Sequence, residues 1–373
     1  IVNDVSRLTL LRENILRLGI HDSAVIIARE VLALAGHPIG RNSLSNIKSV
    51  YFIGVGGIGM SALARYFLSR GCTVAGYDRT STAITSELIN EGATIHFKED
   101  ESLIPDGFKD KNSTLVIYTP AVSSNNRELS WFRRNGFNIK KRAEVLGMLT
   151  RSLDGLCIAG THGKTTTSSM LAHILNGMPE GCNAFLGGIL KNYDSNLLIS
   201  SKSRNVVIEA DEFDRSFHYL KPLRTVITSI DADHLDIYGT YGNYVESFRK
   251  YTSLIKPGGS LVLNEMLTPW FKPQLRKGVK LYTYGVDNGD FHAYNIRIGN
   301  GELKFDLISP LGSIVDIELG VPILVNVENA VGAIALAQLS GATENVIREA
   351  MKSFMGCARR FDFRLKGEKV YLT

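Results

Sequence analysis

The chain has 373 residues, which at roughly 150 residues per domain points to two or three domains rather than one core. Its 44% hydrophobic and 21% charged residues describe an ordinary globular protein, and a net charge of +5 without dense Lys/Arg runs argues against nucleic acid and suits anionic small molecules such as nucleotides. Cys72, Cys157, Cys182 and Cys357 form no CxxC pair, and no apolar stretch approaches the roughly 18 residues of a membrane span, so a zinc site, a disulfide framework and a spanning helix are not expected and a cytoplasmic location is.

Residues 1–47 open with Leu8, Leu11, Ile15 and Leu16, then Ala24, Ile27, Ala28, Val31 and Leu32, a spacing that predicts one or two amphipathic helices. Gly36, Pro38 and Gly40 then interrupt the pattern and read as a linker. The first residue is Ile1 rather than Met, so a piece of a longer protein is expected.

From Val50 the sequence alternates strand, glycine turn, helix and strand: Val50 to Ile53, Gly54 to Gly59, Met60 to Ser69, Thr73 to Tyr77. Apolar runs at Leu115 to Tyr118 and near Ile139 continue this α/β sheet. The loop Gly54-Val55-Gly56-Gly57-Ile58-Gly59 fits G-x-G-x-x-G, and Asp78 follows about twenty residues on. Glycines let a backbone approach a diphosphate, a helix N-terminus supplies N–H donors, and an acid at the next strand end can hold a ribose. A bound nucleotide, an NAD-dependent oxidoreductase and a tight structural turn all remain open on this loop alone.

A second α/β unit begins with the strand Leu156 to Ala159 and the loop Gly160-Thr161-His162-Gly163-Lys164-Thr165-Thr166. Its N–H groups can cradle the phosphates of ATP, Lys164 can reach the β and γ oxygens, and the Thr165 hydroxyl can ligate Mg²⁺. The usual pattern needs glycine at position 158, where Ile158 stands, so this is a shorter variant. Strands are expected at Val206 to Ile208, Thr225 to Thr228 and Leu261 to Leu263. The first is followed by Glu209-Ala210-Asp211-Glu212, and Asp231-Ala232-Asp233-His234-Leu235-Asp236 follows the second. In a parallel sheet both clusters would lie beside the loop, where Mg²⁺ needs hard oxygen ligands; helix-capping acids are the plain alternative. Ile296, Ile298, Leu303, Phe305 and Leu307 predict antiparallel strands with one buried face, and Asn326 to Leu339 and Glu344 to Phe354 read as helices.

With both loops placed, the sequence resembles the Mur ligases of peptidoglycan synthesis, most closely those that join L-alanine to UDP-N-acetylmuramate. The resemblance covers residues 49 to about 363. It rests on Gly54 to Ser61, Tyr118-Thr119-Pro120-Ala121, Arg142-Ala143-Glu144, Gly160 to Thr167, Glu209 to Glu212, Asp233-His234-Leu235-Asp236 and Arg359-Arg360-Phe361. It implies a Rossmann-like UDP-sugar domain over 48–148, a P-loop-type ATP domain with a small antiparallel sheet over 149–358, and the start of a third domain at 359–373. By matching position, Gly54, Gly56, Gly57, Ile58, Gly59, Asp78 and Arg142 would hold UDP-N-acetylmuramate. Gly160, Thr161, His162, Gly163, Lys164, Thr165, Thr166, Asn326, Asn329 and Arg360 would hold ATP, although Val325 replaces the histidine that usually precedes the first asparagine. Thr165 and Glu209 would hold one Mg²⁺ and His234 a second near the transferred phosphate, with Lys164, Glu209 and His234 catalytic. The family makes an acyl phosphate of the muramyl carboxylate that the amine then attacks. Because residues 359–373 would only begin the amine-binding domain, the chain is expected to bind both nucleotides without ligating alanine. Readings that stay open are a related ligase that recycles a whole peptide and a binding fragment without turnover. Leu11 to Ile15 and Asp22 to Leu32 resemble the terminal helix of the glycosyltransferase that makes lipid II.

Overall fold

The computed structural model describes residues 47–358 and the backbone of two short strands, Leu365–Lys366 and Tyr371–Leu372. The helices expected within residues 1–46, and Arg360, lie outside the described residues.

The first sheet contains β1 (Ser49–Ile53), β2 (Thr73–Tyr77), β3 (Thr94–His96), β4 (Thr114–Tyr118) and β5 (Asn138–Lys141), all parallel in the order β3-β2-β1-β4-β5. Every residue of β1 is buried, as befits a central parallel strand covered on both faces, and this is why it reads as a continuous apolar run. The chain winds outward from β1 through β2 to β3 and then restarts at β4 on the other side. That reversal opens a crevice beyond the carboxyl ends of β1 and β4, the usual ligand position of an open α/β sheet. The helix Ile58–Ser69 starts two residues earlier than expected, within the glycine loop itself.

The second sheet has ten strands: β6 (Asp154–Ala159), β7 (Asn183–Leu190), β8 (Ser195–Leu198), β9 (Asn205–Glu209), β10 (Arg224–Ile227), β11 (Ser260–Asn264), β12 (Lys280–Val286), β13 (Phe291–Gly299), β14 (Glu302–Ile308) and β15 (Ile314–Glu318). Their order is β15-β14-β13-β12-β11-β10-β6-β9-β7-β8, parallel from β13 to β7 and antiparallel at both margins. The strand β6 is flanked by β9 and β10, with Ile158 paired to Glu209 and Ala159 to Ile227. Both acidic clusters therefore leave the sheet beside the loop that leaves β6. The antiparallel margin appears where alternation predicted it, and Leu303, Phe305 and Leu307 are fully buried. Ile298, expected on the same face, is 67% exposed. The register slips between Tyr294 and Arg297, where Asn295 is left-handed, yet Ile298 still pairs with the buried Leu303, so its exposure belongs to the open hairpin end, where Gly299 pairs with Glu302.

Helices Lys164–Asn176, Val325–Leu339 and Glu344–Ser353 pack in one core with this sheet. The helix Val325–Leu339 touches both the sheet and the helix Lys164–Asn176, so it is apolar nearly all round. The two sheets meet through side chains. The Tyr66 and Phe185 rings lie edge to face at 5.5 Å, and Asn196 Nδ2 donates to Ile58 O at 3.0 Å.

Candidate active site

The loop after β6 is shaped by its neighbour β10. Gly160 has φ +138°, and a β-carbon there would overlap Thr228 Oγ1, so both conformation and space demand glycine. Thr228 Oγ1 donates to His162 O and lies 3.2 Å from Ala159 O, and Ser229 Oγ accepts from His162 N–H at 2.9 Å. Thr161 Oγ1 lies 3.0 Å from Asp231 O and 2.9 Å from Tyr244 Oη. The expected strand Thr225 to Thr228 stops at Ile227, which frees Thr228 for this task. The following helix has the left-handed Gly163 as its N-cap and no side chain capping it. Its first N–H groups are thus left for a ligand, in the positive field of a helix N-terminus. His162 points outward, 74% exposed and 3.8 Å from Asp231 Oδ2, and Thr166 is half-buried on the first turn.

Behind the loop, Thr165 Oγ1 donates to Glu209 Oε1 at 3.0 Å, while Gly187 N–H holds the other carboxylate oxygen at 3.0 Å. Lys164 is folded back: its Nζ donates to Gly160 O at 2.6 Å and Thr161 O at 3.3 Å, and lies 2.8 Å from both oxygens of Glu212. Glu212 is 1% exposed. Its burial raises its pKa, opposed by the neighbouring ammonium. His234, left-handed at φ 51°, places Nε2 3.9 Å from Glu212 Oε1 and 3.6 Å from Asp233 Oδ2.

These donors suit Mg²⁺ at one position. Octahedral oxygens about 2.1 Å from Mg²⁺ are about 3 Å from one another, the spacing of Thr165 Oγ1 and Glu209 Oε1. Among the described residues no group of three His, Cys, Asp or Glu side chains forms a metal cage. Mg²⁺ needs none where phosphates and water complete its shell.

Of the two asparagines, Asn329 is the one at the loop. Its Oδ1 accepts from Thr167 Oγ1 at 3.2 Å and sits against Gly163. Asn326 is 2% exposed and is used to hold the segment before it, donating to Val321 O at 3.3 Å while accepting from Asn329 at 3.4 Å.

On the first sheet, Gly54 to Gly59 again leads into a helix with no side-chain cap, its N-cap being Gly57. The Asp78 carboxylate faces this loop, accepting from Gly56 N–H at 2.7 Å and Thr80 N–H at 3.1 Å. Arg142 joins the two halves. Its Nε donates to Gly59 O at 3.2 Å, and its guanidinium lies in the field of Asp211 and Glu209; burial pulls its pKa down, and those acids oppose the pull. A cavity of about 300 Å³ runs from Thr119 and Arg142 to Glu209, Phe213 and Tyr219. Sequence reasoning did not single out Thr228, Gly187 or Glu212 as site residues. Glu212 stood within the acidic cluster, but nothing in four adjacent residues says which carboxylate meets which loop residue.

Residues 49–153 match the Mur ligase family catalytic domain, and residues 158–337 match the Mur ligase middle domain. The chain is 61% identical to a UDP-N-acetylmuramate–L-alanine ligase of Phocaeicola vulgatus over 327 residues, covering 88% of this chain and 71% of that one. It is 55% identical to the protein of the same name from Parabacteroides distasonis, with the same coverage of each. The crystal structure of UDP-N-acetylmuramate–alanine ligase from Thermotoga maritima superposes with a TM-score of 0.70 at 29% identity, covering 86% of this chain and 71% of that one. By these matches over most of its length, the chain belongs to the Mur ligase family.

Proposed function

We propose that the protein joins L-alanine to the carboxylate of UDP-N-acetylmuramate at the expense of ATP, through an acyl phosphate, in peptidoglycan precursor synthesis in the cytoplasm. The observation that carries this reading is the Thr165 and Glu209 oxygen pair beside an uncapped phosphate loop, facing a cavity that reaches Arg142. The names of its relatives supply the substrates. Among the described residues no helix is long and apolar enough to cross a membrane.

In this reading the glycine loop of the first sheet takes the UDP diphosphate, and Asp78 keeps that loop open by holding Gly56 N–H. ATP lies along Gly160 to Thr166 with its base toward Asn329. A carboxylate oxygen of the sugar attacks the γ phosphorus and ADP leaves. The alanine amine then attacks the acyl carbon, and inorganic phosphate leaves as the amine sheds its proton. Lys164 neutralises charge on the transferring group. Mg²⁺ held by Thr165 and Glu209, and a second Mg²⁺ at His234, would supply further charge neutralisation at the phosphates. Arg142, fixed between Gly59 and the acids of the second sheet, orients the muramyl end across the junction, and such positioning lowers the barrier by removing motional freedom beforehand.

Calorimetry of this chain with UDP-N-acetylmuramate and with ATP tests the two sites. A phosphate-release assay over an amino-acid panel, on the protein extended through the remaining length of its relatives, tests the reaction. Release dependent on L-alanine and on the UDP-sugar is expected. Release driven instead by a muramyl tripeptide would reassign the amine, and failure of UDP-N-acetylmuramate to bind would remove the reading.

A further inference from the structure

Glu212 has no part in the phosphate chemistry above, yet it is the only carboxylate shown within hydrogen-bond reach of Lys164 among the described residues. An ammonium has three N–H donors. Those of Lys164 face Gly160 O, Thr161 O and the Glu212 carboxylate, so each has an acceptor inside the protein. A phosphate can gain a bond from Lys164 only by displacing one of these. Glu212 cannot follow the lysine outward, because its carbonyl is fixed by Tyr238 Oη at 2.6 Å and Arg215 N–H at 2.9 Å.

We propose that Glu212 is a positioning residue that holds Lys164 folded against the loop, and that the β and γ phosphates of the nucleotide bind by taking the ammonium from it. The proposal rests on the ATP reading of the loop. The latch keeps the lysine inside the loop and out of water before the nucleotide arrives, and it charges the nucleotide for breaking a buried, charge-assisted contact. AMP, which lacks both phosphates, does not break it.

The test is equilibrium titration of the chain with ATP, ADP and AMP at fixed Mg²⁺, for Glu212→Gln, Lys164→Ala and the double variant. Loss of the competing carboxylate is expected to tighten ATP and ADP by about tenfold. AMP should be unchanged. The same substitution in the Lys164→Ala background should tighten ATP by less than about twofold, because there is no ammonium left to release. Equal tightening in both backgrounds would mean that Glu212 merely repels phosphate, and weaker ATP binding by Glu212→Gln would mean that it assists; either result overturns the latch. A purely structural role would shift melting temperature without this nucleotide-selective coupling. Should Glu212→Gln fail to fold, Glu212→Asp keeps the charge on a shorter arm and must tighten ATP over AMP in the same direction. Absence of ATP binding by the unsubstituted chain would remove the nucleotide reading itself, and the latch with it.

Discussion

The Glu128 side chain has no access to water, and its partners are ordered so that one proton can pass along them. When Glu128 is ionised, Tyr51 Oη donates to its Oε2 at 2.7 Å, and Asp100 N–H donates to Oε1 at 3.2 Å. The His96 ring is placed 2.8 Å from Tyr51 Oη through Nε2 and 2.9 Å from Lys98 O through Nδ1. A neutral His96 bonded to Lys98 O needs its proton on Nδ1, which makes Nε2 an acceptor for Tyr51. Tyr51 must then receive its own bond from a protonated Glu128. Burial favours this arrangement: it pushes the Glu128 pKa up to about 7, with Glu99 and Asp100 adding to the rise and the bonds from Tyr51 and Asp100 opposing it. A folded-state value raised above the ordinary 4.5 means that the stabilisation is complete below pH 4.5 and is lost as pH climbs through about 7. Between pH 5 and pH 8 this loss amounts to about 2.5 kcal/mol. His96, whose pKa is lowered chiefly by burial, acts the other way, removing stability as pH falls below its ordinary 6.5. Glu128→Gln isolates the carboxyl, because an amide can donate to Tyr51 as the protonated acid does. Urea melts at pH 5 and pH 8 should find the variant gaining up to about 2.5 kcal/mol over the native protein between the two. A difference independent of pH would rule out the buried titration.

At the scale of an element, β7 does more for the site than its sequence suggests. Asn183-Ala184-Phe185-Leu186-Gly187-Gly188-Ile189-Leu190 is one strand although it contains paired glycines, which ordinarily weaken or break strands. The glycines are there for close approach. A β-carbon at Gly187 would overlap the Glu209 carboxylate, and one at Gly188 would lie 3.3 Å from Thr165 Cγ2 and 3.7 Å from Cys357 Cβ. Gly187→Ala should therefore push Glu209 away from Thr165. ATP affinity in the presence of Mg²⁺ is expected to fall about tenfold or more, with little change when Mg²⁺ is chelated, as titration in the two conditions would reveal. Equal losses in both would place the effect in the fold rather than at the metal ligands. The buried parallel strands β1, β6, β9, β10 and β11 were legible because burial on two faces leaves continuous apolar runs ended by glycine or polar residues. The glycine-interrupted β7 was not, since it depends on what a neighbouring strand places against it, and neither was the exposed Ile298, which pairs with buried Leu303 but lies at the end of a hairpin. Likewise Glu209 and Glu212 stand three residues apart in one acidic cluster, yet one meets Thr165 and the other Lys164.

For the whole molecule, the consequence is a division of labour between two sheets. Each carries its own glycine loop and its own helix without a side-chain cap, and the two halves are bridged by Arg142, Asn196, the Tyr66 and Phe185 rings and the Lys141–Asp214 ion pair at 3.8 Å, none of which is a phosphate-loop residue of both sites. Binding at one loop should then survive damage to the other. Lys164→Ala removes the cation facing the phosphates and should weaken ATP about a hundredfold, leaving UDP-N-acetylmuramate within about twofold. The reciprocal lesion is Gly56→Val. A β-carbon at Gly56 lies 2.9 Å from Asp78 Oδ2 and 3.0 Å from Thr85 Cγ2, so a branched side chain must push the loop off Asp78. It should weaken the UDP-sugar at least tenfold and spare ATP. Sites that share no partner give additive effects, within about 0.5 kcal/mol, so the double variant should show the two losses side by side. Calorimetry with both ligands on all three variants reads this out. Loss of both ligands from either single variant would mean that the bridging contacts transmit more than position, and that the two loops form one site rather than two.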